Sequence, residues 1–584
     1  MKQVLKSAWQ TDKWNFILIL FLKMIVALTS SVSIVMLIPM LDLLDVSIGN
    51  GGTLGILLQP FAGMAYEQRV VIIIVAFVSL MLLRAVLTGV SSVYQHAYLG
   101  RYMMGMRQKI YNAIGTTSWE ALSGRSSADM IHLITAQCKQ AKSCLQSFMG
   151  LIISVFSALL QLVIAMWMSV PITLVALIVG VGFLLLFRPF QKKSREHGKM
   201  AFEANRKLYR EMQNQLNSIK EIRAYGVEEY NSTLFENITK ETYDISVRTA
   251  KLQAIPTMCY SVASAALIAS AFVYSVLILN TGTAQLVVLV YIFSRLWPVF
   301  SSWQGQLQSV QNSIPAYEAI QQAINELTEG VREPVSTDKA LCFSHEVAFE
   351  NVRFTYQDGN DEVLKNINFT IPCGSVTALV GPSGAGKSTT ADLLLGLLRP
   401  TKGQICVDGV ALTDETLGAW RKAIGYIPQQ PLILNATVRE NLLRFHPEAS
   451  EEEMIEALKR SLAWPVIDKL PKGLDTVLGD KGTRLSGGER QRIVLARVLM
   501  GSPKLIILDE ATSALDHESE SFIRETIQSL REDTTVLIIA HRMATIRGAD
   551  RAIVLLNGEI TEQGLMQELL MNKDSYLTKM DSVK

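Results

Sequence analysis

Long apolar runs in the first 325 residues constrain this chain more than any other feature, because a helix that crosses a bilayer needs about 20 apolar residues. Two of the runs are weaker, since the fourth is short and the sixth contains Arg295 and Pro298. No small-residue cleavage site follows the first run, so we expect a retained span and not a secretory signal. We therefore predict six transmembrane helices, at approximately Phe16–Met40, Val70–Val93, Ser147–Met168, Ile172–Phe187, Ile255–Leu279 and Gln285–Val310.

The composition agrees with a membrane protein of more than one domain. A chain of 584 residues exceeds what one hydrophobic core usually holds, and its 49% hydrophobic and 18% charged residues are too apolar for an ordinary soluble enzyme of this size. The formal net charge of +2 gives no reason to expect a nucleic acid partner. The six cysteines show neither CxxC spacing nor histidine partners at zinc-like intervals, so we expect reduced thiols and no disulfide scaffold.

Charges in the loops predict the orientation of the spans, because cytosolic loops are rich in lysine and arginine. The N-terminal segment carries Lys2, Lys6 and Lys13, and the exit from the fourth span is basic between Arg188 and Arg195. The loop at residues 41–68 contains acids and no lysine or arginine. We therefore expect the N-terminus in the cytosol.

Two long connections, approximately Tyr94–Gln146 and Arg188–Ala254, then lie on the cytosolic side, and both have helical patterns. At a rise of about 1.5 Å per residue, helical hairpins of this length reach roughly 30 Å beyond the membrane. They are long enough to touch another domain.

From about Val347 the pattern changes to short β-branched runs that alternate with helices, which is typical of an α/β nucleotide-binding domain. The predicted strands are VAFENVRFTY, VTALVG, AIGYIP, LIILDE and TVLIIAH. The polar stretch before them reads as a linker. We predict a transmembrane domain at 1–325, a linker at 326–344 and a nucleotide-binding domain at 345–584.

The sequence GPSGAGKST, which follows the strand VTALVG and precedes an apolar helix, fits the phosphate-binding P-loop pattern. Its glycines let backbone N–H groups curl around phosphates, and the helix N-terminus adds partial positive charge. Lys387 is predicted to reach the β and γ phosphates, and the Ser388 hydroxyl to bind Mg²⁺. The predicted nucleotide contacts are Gly381, Pro382, Ser383, Gly384, Ala385, Gly386, Lys387, Ser388 and Thr389.

The strand LIILDE ends in two acids, Asp509 and Glu510. A hard cation on a nucleotide needs oxygen ligands, so Asp509 is suited to holding Mg²⁺ directly or through water. Glu510 is then positioned to orient or deprotonate the attacking water as a general base. A strand that ends in two carboxylates is often only an edge or a helix cap, but its combination with the phosphate loop favours catalysis.

The segment LSGGE at residues 485–489, followed by RQRIVLARVL, resembles the signature of ATP-binding cassette (ABC) proteins. Together with six preceding spans, the chain resembles an ABC exporter half-transporter over essentially its whole length. The resemblance implies a membrane all-α domain of six transmembrane helices with long cytosolic extensions, followed by an α/β P-loop ATP-binding cassette domain. It also implies that two cassettes meet head to tail, so that Ser486 and Gly488 bind the γ-phosphate held by the partner chain.

Other roles follow from the resemblance alone. Tyr356 matches the aromatic residue that stacks on adenine, and Gln429 matches the glutamine that reaches Mg²⁺ and the water and couples to the membrane domain. Asp516 closes the segment that crosses the dimer, and His541 matches the switch histidine that contacts the γ-phosphate. Segments 119–130 and 225–235 resemble the coupling helices of the family. The chain departs from the family pattern at Glu489, where glutamine is usual and little effect is expected, and at Ala436, which has no interpretation.

The resulting hypothesis is ATP-driven export or flipping of a lipid, peptide or amphipathic small molecule by a homodimer in which alternating access is driven by ATP. One half of a heterodimer with a related half-transporter, or an importer with exporter architecture, remains an alternative. A nucleotide-gated channel or regulator is an alternative of another class. Arg84 and Arg295 fall inside predicted spans, where they either line a pathway for anionic or zwitterionic cargo, or pair internally or extend their charged ends towards the membrane surface. The absence of a secretory signal and the short external loops favour a bacterial inner membrane, with contact to its lipids.

Overall fold

A computed structural model describes residues 2–35, 65–168, 170–277, 283–329, 341–356, 361–510 and 534–582. The chain divides into two compact units. The first contains Met1–Gly115 and Gly124–Gly330, and the second contains Thr116–Ser123 and Val331–Lys584.

The first unit is helical throughout its described residues, apart from short turns. Its helices are α1 (Lys2–Val35), α2 (Tyr66–Thr116), α4 (Ser127–His132), α5 (Cys138–Met168), α6 (Val170–Leu186), α7 (Arg188–Asn217), α8 (Ile219–Ala224), α9 (Glu228–Leu277) and α10 (Thr283–Glu329), with α3 (Trp119–Ser123) assigned to the second unit. A π-helical turn at Leu133–Gln137 joins α4 to α5.

Four helical stretches within the described residues are long and apolar enough to cross a membrane, at Val4–Val32, Tyr66–Thr116, Ser127–Met166 and Glu228–Ser270. The predicted fourth and sixth spans are also helical and lie in α6 and α10. The described part of α6 has 17 residues, fewer than the roughly 20 that a span needs. The end of the predicted first span, beyond Val35, lies outside the described residues.

Three helices are much longer than a bilayer requires. Helices α2, α9 and α10 have 51, 50 and 47 residues, which at about 1.5 Å per residue is more than twice the roughly 30 Å thickness of the hydrocarbon core. They therefore continue well beyond any membrane they cross, as the helical patterns of the long connections predict.

The N-terminal segment packs into the helical core of this unit. Helix α1 is interrupted at Asp12, whose backbone is non-helical and whose Oδ1 accepts a hydrogen bond from the N–H of Asn15 at 3.1 Å. The hydroxyl of Tyr98, a fully buried residue, donates to the carbonyl of Ala8 at 2.8 Å. The apolar core around them includes Leu99, Tyr102, Leu145, Met149 and Ile320.

The second unit contains two sheets and is the predicted α/β cassette. Its strands are β1 (Glu346–Phe354), β2 (Leu364–Pro372), β3 (Val376–Val380), β4 (Lys402–Val407), β5 (Val410–Ala411), β6 (Ile424–Ile427), β7 (Leu505–Asp509), β8 (Thr535–Ala540), β9 (Arg551–Leu556) and β10 (Glu559–Leu565). Its helices after α3 are α11 (Lys387–Leu394), α12 (Leu417–Ala423), α13 (Val438–Leu443), α14 (Glu451–Arg460), α15 (Trp464–Ile467), α16 (Gly487–Leu499), α17 (Met543–Ile546), α18 (Met566–Met571) and α19 (Tyr576–Ser582).

The strand order explains where the site forms. One sheet has the order β10-β9-β3-β8-β7-β6, with all neighbours parallel except β10 and β9, and the other is the antiparallel sheet β2-β1-β4-β5. Every residue of β3, β7 and β8 is buried, as expected for central parallel strands covered on both faces. Because carboxyl ends of parallel strands meet at one edge, the residues that follow β3, β6, β7 and β8 come together there.

Candidate functional site

The phosphate loop connects β3 to α11 at this edge. Gly384 and Gly386 have positive φ values of 81° and 102°, in the left-handed region that favours glycine. At Gly381 a side chain has no room, because an added Cβ would lie 2.2 Å from the carbonyl oxygen of Leu555. The side of the loop formed by Pro382, Ser383 and Gly384 is exposed, and so is Ser388. The loop is therefore an open cradle at a helix N-terminus.

Lys387 is folded over this cradle. Its Nζ donates to the carbonyl oxygens of Gly381 at 2.9 Å and of Pro382 at 3.0 Å, and the residue is only 6% exposed. A buried ammonium whose partners are neutral carbonyls retains a strong attraction for anions. Together with the N–H groups at the start of α11, it fits a polyphosphate bound in the loop.

Tyr356 lies beside the same helix. Its hydroxyl is 3.2 Å from Oγ1 of Thr389, and the ring of Phe354 packs edge-on against it with centroids 4.8 Å apart. The side chain is 37% exposed, so part of the ring is accessible for stacking on a flat group.

Carboxyl groups gather at the ends of β7 and α11. Asp509 is 9% exposed, and burial raises its pKa above the ordinary value, with the charge of Glu510 acting in the same direction. Burial raises the pKa of Asp392, on α11, to about 6, and the charge of Asp509 adds to the shift. The hydroxyl of Tyr426 donates to Oδ2 of Asp509 at 3.2 Å. Asp392 was not predicted as a site residue, although an acid within the apolar run ADLLLGLL was a signal.

Glu510 is held by residues from two other strand ends. Its Oε2 accepts a hydrogen bond from Nε2 of Gln429 at 2.6 Å, and its Oε1 lies 3.5 Å from Nδ1 of His541. Its own N–H donates to the carbonyl of Ile539 at 2.8 Å, and its φ is +46°, which is uncommon outside glycine. The structure thus brings together three residues that the sequence predicted as catalytic.

The signature segment begins a different helix, α16. Ser486 is its N-cap: Oγ accepts from the N–H of Glu489 at 3.3 Å, and Oε2 of Glu489 accepts from the N–H of Ser486 at 2.7 Å. This reciprocal capping box gives Glu489 a structural use in place of the glutamine usual in the family. Ser486 is exposed and Gly488 is buried.

Within the described residues no hydrogen bond joins Ser486 or Gly488 to the phosphate loop of the same chain. Asp516 lies outside the described residues.

A phosphate loop, an acidic strand end and a capped signature helix in one α/β unit define an ATP-binding cassette, here combined with a unit of long apolar helices. Residues 364–513 match the family model described as ABC transporter, and residues 16–299 match the one described as ABC transporter transmembrane region. The chain belongs to the ABC transporter family.

Curated relatives agree. The chain is 42% identical over 274 residues to the ATP-dependent lipid A-core flippase of Syntrophus aciditrophicus, a match that covers 46% of this chain and 45% of that protein. It is 30% identical over 472 residues to the heterocyst differentiation ATP-binding protein HepA of a Nostoc species, which covers 80% and 76%. The first match thus spans less than half of the length of the flippase, and the second spans about three quarters of the length of HepA.

A solved structure shares the whole fold. The structure of a bacterial Atm1-family ABC exporter with ATP bound superposes with a TM-score of 0.79 and 22% sequence identity, over 98% of both chains. At this identity the likeness concerns the fold, and it confirms the predicted fold class. The predictions of an ABC transporter, an integral membrane protein and an ATP-binding cassette are confirmed at the level of the family.

Proposed function

We propose that this chain is an ATP-driven exporter or flippase that works as a homodimer and hydrolyses ATP at two sites shared between its cassettes. The observation that carries the proposal is the position of Glu510, which is held by Gln429 and His541 at the strand edge where the phosphate loop begins. A general base next to a phosphate-binding loop is the arrangement that hydrolysis needs, and a regulator or channel has no need of it.

Each predicted site residue has a place in this reaction. Lys387 and the loop of residues 381–389, through the backbone N–H groups of its residues other than Pro382, bind the phosphates, and Tyr356 stacks on the adenine. Glu510 orients the attacking water and accepts its proton, while His541 contacts the γ-phosphate. The signature residues Ser486 and Gly488 close the site of the partner chain, which Asp516 helps to align.

The residues proposed for Mg²⁺ are Ser388, Gln429 and Asp509. They provide a hydroxyl, an amide and a carboxylate, all of them oxygen donors that suit a hard cation. The described residues contain no group of three His, Cys, Asp or Glu that could form a complete cage, which agrees with a metal held largely by the phosphates themselves. When bound, the metal neutralises negative charge on the phosphates.

Two contacts must change for the site to work. Lys387 exchanges the carbonyls of Gly381 and Pro382 for phosphate oxygens, which its strong preference for anions favours. Gln429 moves away from Oε2 of Glu510, which leaves this oxygen more open to the attacking water. Binding thus draws the segment around Gln429 towards the nucleotide, and this differential contact is what can shift a conformational equilibrium.

We place the cassette in the cytosol and the helical unit in a bacterial inner membrane, with domains at 1–325 and 345–584 joined by the linker 326–344. The basic N-terminus and basic exit from the fourth span support this orientation. A lipid or another amphipathic molecule is the proposed cargo class, in keeping with the name of the flippase relative. Arg84 is half-buried in α2, whereas the side chain of Arg295 lies outside the described residues.

The first test is ATP hydrolysis by the purified chain alone in lipid bilayers, with Glu510→Gln as the matched control. Hydrolysis that disappears in the control supports a catalytic homodimer. No hydrolysis by folded protein that binds ATP contradicts the homodimer and points to a different partner half. Vesicles in which the cassettes face outwards then test direction, since added ATP should drive a fluorescent lipid into the lumenal leaflet if the chain is an exporter.

A further inference from the structure

A tyrosine one strand away from the acidic strand end contacts a carboxylate of the ATP site. Tyr426 is half-buried in β6, which pairs in parallel with β7 so that Tyr426 lies opposite Ile507. From there its hydroxyl reaches Oδ2 of Asp509 at 3.2 Å. The ring packs against the apolar core between the sheets, and this packing fixes the position of the hydroxyl.

Asp509 needs such a donor. Its carboxylate is only 9% exposed, and the carboxyl groups of Asp392 and Glu510 are near enough to act on it electrostatically. A buried carboxylate surrounded by other acids is unstable as an anion unless a donor or cation compensates it. The positive charge of Lys387 acts on Asp509 in the compensating direction, and the hydrogen bond that reaches this carboxylate among the described residues comes from Tyr426.

The bond also selects between the two oxygens of Asp509. The hydroxyl occupies Oδ2, and a side chain anchored at one oxygen has its rotamer fixed. No hydrogen bond of the described residues reaches Oδ1, so Oδ1 is the more open of the two oxygens to a cation or its water.

We infer that Tyr426 is a positioning residue for the Mg²⁺ site: its hydroxyl fixes Asp509 in the orientation that receives Mg²⁺ bound to ATP. The inference rests on the proposed ATPase function and extends it to a residue outside the predicted site. Partners of metal ligands of this kind typically contribute roughly 10-fold to 100-fold in metal affinity.

The same strand end also holds the second carboxylate. Three residues after Tyr426, Gln429 donates to Oε2 of Glu510 at 2.6 Å. Segment 426–429 therefore contacts the metal-binding carboxylate at one end and the catalytic carboxylate at the other. A displacement of this short segment changes the surroundings of both carboxylates together.

The test is Tyr426→Phe in the full-length chain, which removes the hydroxyl and keeps the ring that packs in the core. Binding of a fluorescent, non-hydrolysable ATP analogue is measured with and without Mg²⁺, and Mn²⁺ binding to the nucleotide complex is followed by electron paramagnetic resonance. We expect affinity without metal to be unchanged, the gain in affinity on adding Mg²⁺ to fall about 10-fold, and Mn²⁺ binding to weaken by the same factor. Tyr576→Phe, at another half-buried cassette tyrosine, should change neither quantity.

A second variant separates positioning from a structural effect. In the Asp509→Asn background, Tyr426→Phe should cause no further loss of the Mg²⁺-dependent gain, because the ligand that it positions is already changed. Equal loss of affinity with and without metal, or an unaltered response to Mg²⁺, would overturn the inference. These readouts need no hydrolysis, so they give a result even if the chain alone proves inactive as an ATPase.

Discussion

The nucleotide edge of the cassette and the interior of the helical unit both bury polar groups, but they treat them in opposite ways. At the cassette edge, Asp392, Asp509 and Glu510 are gathered in one corner, where burial and mutual repulsion raise the pKa values of the two aspartates. In the helical unit, several buried side-chain donors each meet a single backbone carbonyl. The side chains of Trp297 and Gln308, for example, donate to the carbonyls of Tyr260 and Leu252.

This difference distinguishes polar side chains that serve catalysis or metal binding from polar side chains that stabilise the fold. Clustered carboxylates destabilise the folded cassette, so their presence indicates a use that only a cation or a reacting phosphate supplies. A single donor that bonds to a single acceptor stabilises the contact between two helices, and neither group is left free to react. Substitutions in the two regions should therefore separate activity from stability.

The largest effect is expected for Glu510→Gln at the cassette edge. ATP hydrolysis should fall by roughly 10²-fold to 10⁴-fold because the general base is lost, while ATP binding is retained. Thermal unfolding without nucleotide should not shift downwards, since one of two adjacent negative charges is removed. Steady-state hydrolysis and a melting curve of the same sample measure both. A marked fall in melting temperature would show that Glu510 stabilises the fold, and it would contradict the distinction between clustered catalytic groups and singly bonded structural groups.

The next effect concerns an ion cluster in the helical unit. Asp129, on α4, accepts two hydrogen bonds from each of Arg206 and Arg210 on α7, and its side chain is 14% exposed. Asp129→Ala leaves two arginines facing each other without their shared partner and should cost about 1–2 kcal/mol of stability, since both arginines are partly solvated. Thermal unfolding in detergent is the measurement, and ATP binding should be unaltered.

A matched control for this cluster is the ion pair between Arg195 and Glu318. Both side chains are nearly half exposed, at 45% and 48%, and they meet at 2.6 Å. Glu318→Ala should cost less than about 0.5 kcal/mol, because solvent screens exposed pairs. Equal losses of stability in Asp129→Ala and Glu318→Ala would show that burial does not determine how much these ion pairs stabilise the protein.

The third prediction concerns a proline inside helix α9. Pro256 has no N–H, so the carbonyl of Leu252, four residues earlier, lacks its usual partner within the helix. Nε2 of Gln308 on α10 donates to that carbonyl at 3.1 Å, and Gln308 is 1% exposed. Gln308→Leu should cost about 1–2 kcal/mol, measured as a fall in melting temperature, because a partly buried carbonyl is left unsatisfied.

The proline makes this prediction sharper than an ordinary substitution. In a Pro256→Ala background, the new N–H of residue 256 can bond to the carbonyl of Leu252, so Gln308→Leu should cost less than half as much there. Gln322→Leu, at an exposed glutamine of the same helix, is the control and should have little effect. Equal costs for Gln308→Leu in both backgrounds would show that the amide acts through something other than this carbonyl.

Part of the fold could be predicted from the sequence and part could not. The strands β1, β3, β6, β7 and β8 were predicted because each combines a short β-branched run with a recognisable loop, and the structure confirms them. The strands β2, β4, β5, β9 and β10 were not assigned, since β5 has only two residues and β10 alternates exposed with half-buried positions at an edge of the sheet. Position in the sheet does not account for the other omissions, because β4 and β9 lie inside their sheets and were not assigned, whereas β6 lies at an edge and was assigned.

The candidate site shows the same limit. Lys387, Asp509 and Glu510 follow from local motifs, whereas the roles of Tyr426 and Asp392 depend on pairing of β6 with β7 and on the position of α11 beside them. Contacts between residues 83 positions apart, such as Tyr426 with Asp509, leave no periodic signal in the chain. For the same reason, no pattern around Pro256 pointed to Gln308.

The smallest effect is expected at a carboxylate that lies in the cassette but behaves like the polar groups of the helical unit. Oxygens of Asp408 accept hydrogen bonds from the N–H groups of Ser344, His345 and Glu346, at 2.6–2.9 Å, where β1 begins. Burial alone would raise the pKa of Asp408, but these bonds outweigh it and lower the pKa below its ordinary value of 3.8.

A lowered pKa means that the folded state binds a proton less readily than the unfolded state, so this stabilisation is present above about pH 4 and is lost as the pH falls below it. Asp408→Asn keeps a residue that tolerates the positive φ of 49° but removes the charge, and it should cost about 1 kcal/mol at pH 7. The difference from the unaltered protein should shrink in melting curves recorded below pH 4, whereas Asp574→Asn, at an exposed aspartate, should show no difference at either pH. If Asp408→Asn instead stabilised the cassette at neutral pH, carboxylates of this unit would be costly wherever they occur. The energetic difference would then depend on which of the two units contains the polar group, and not on whether the group is clustered with others or bonded to its own partners.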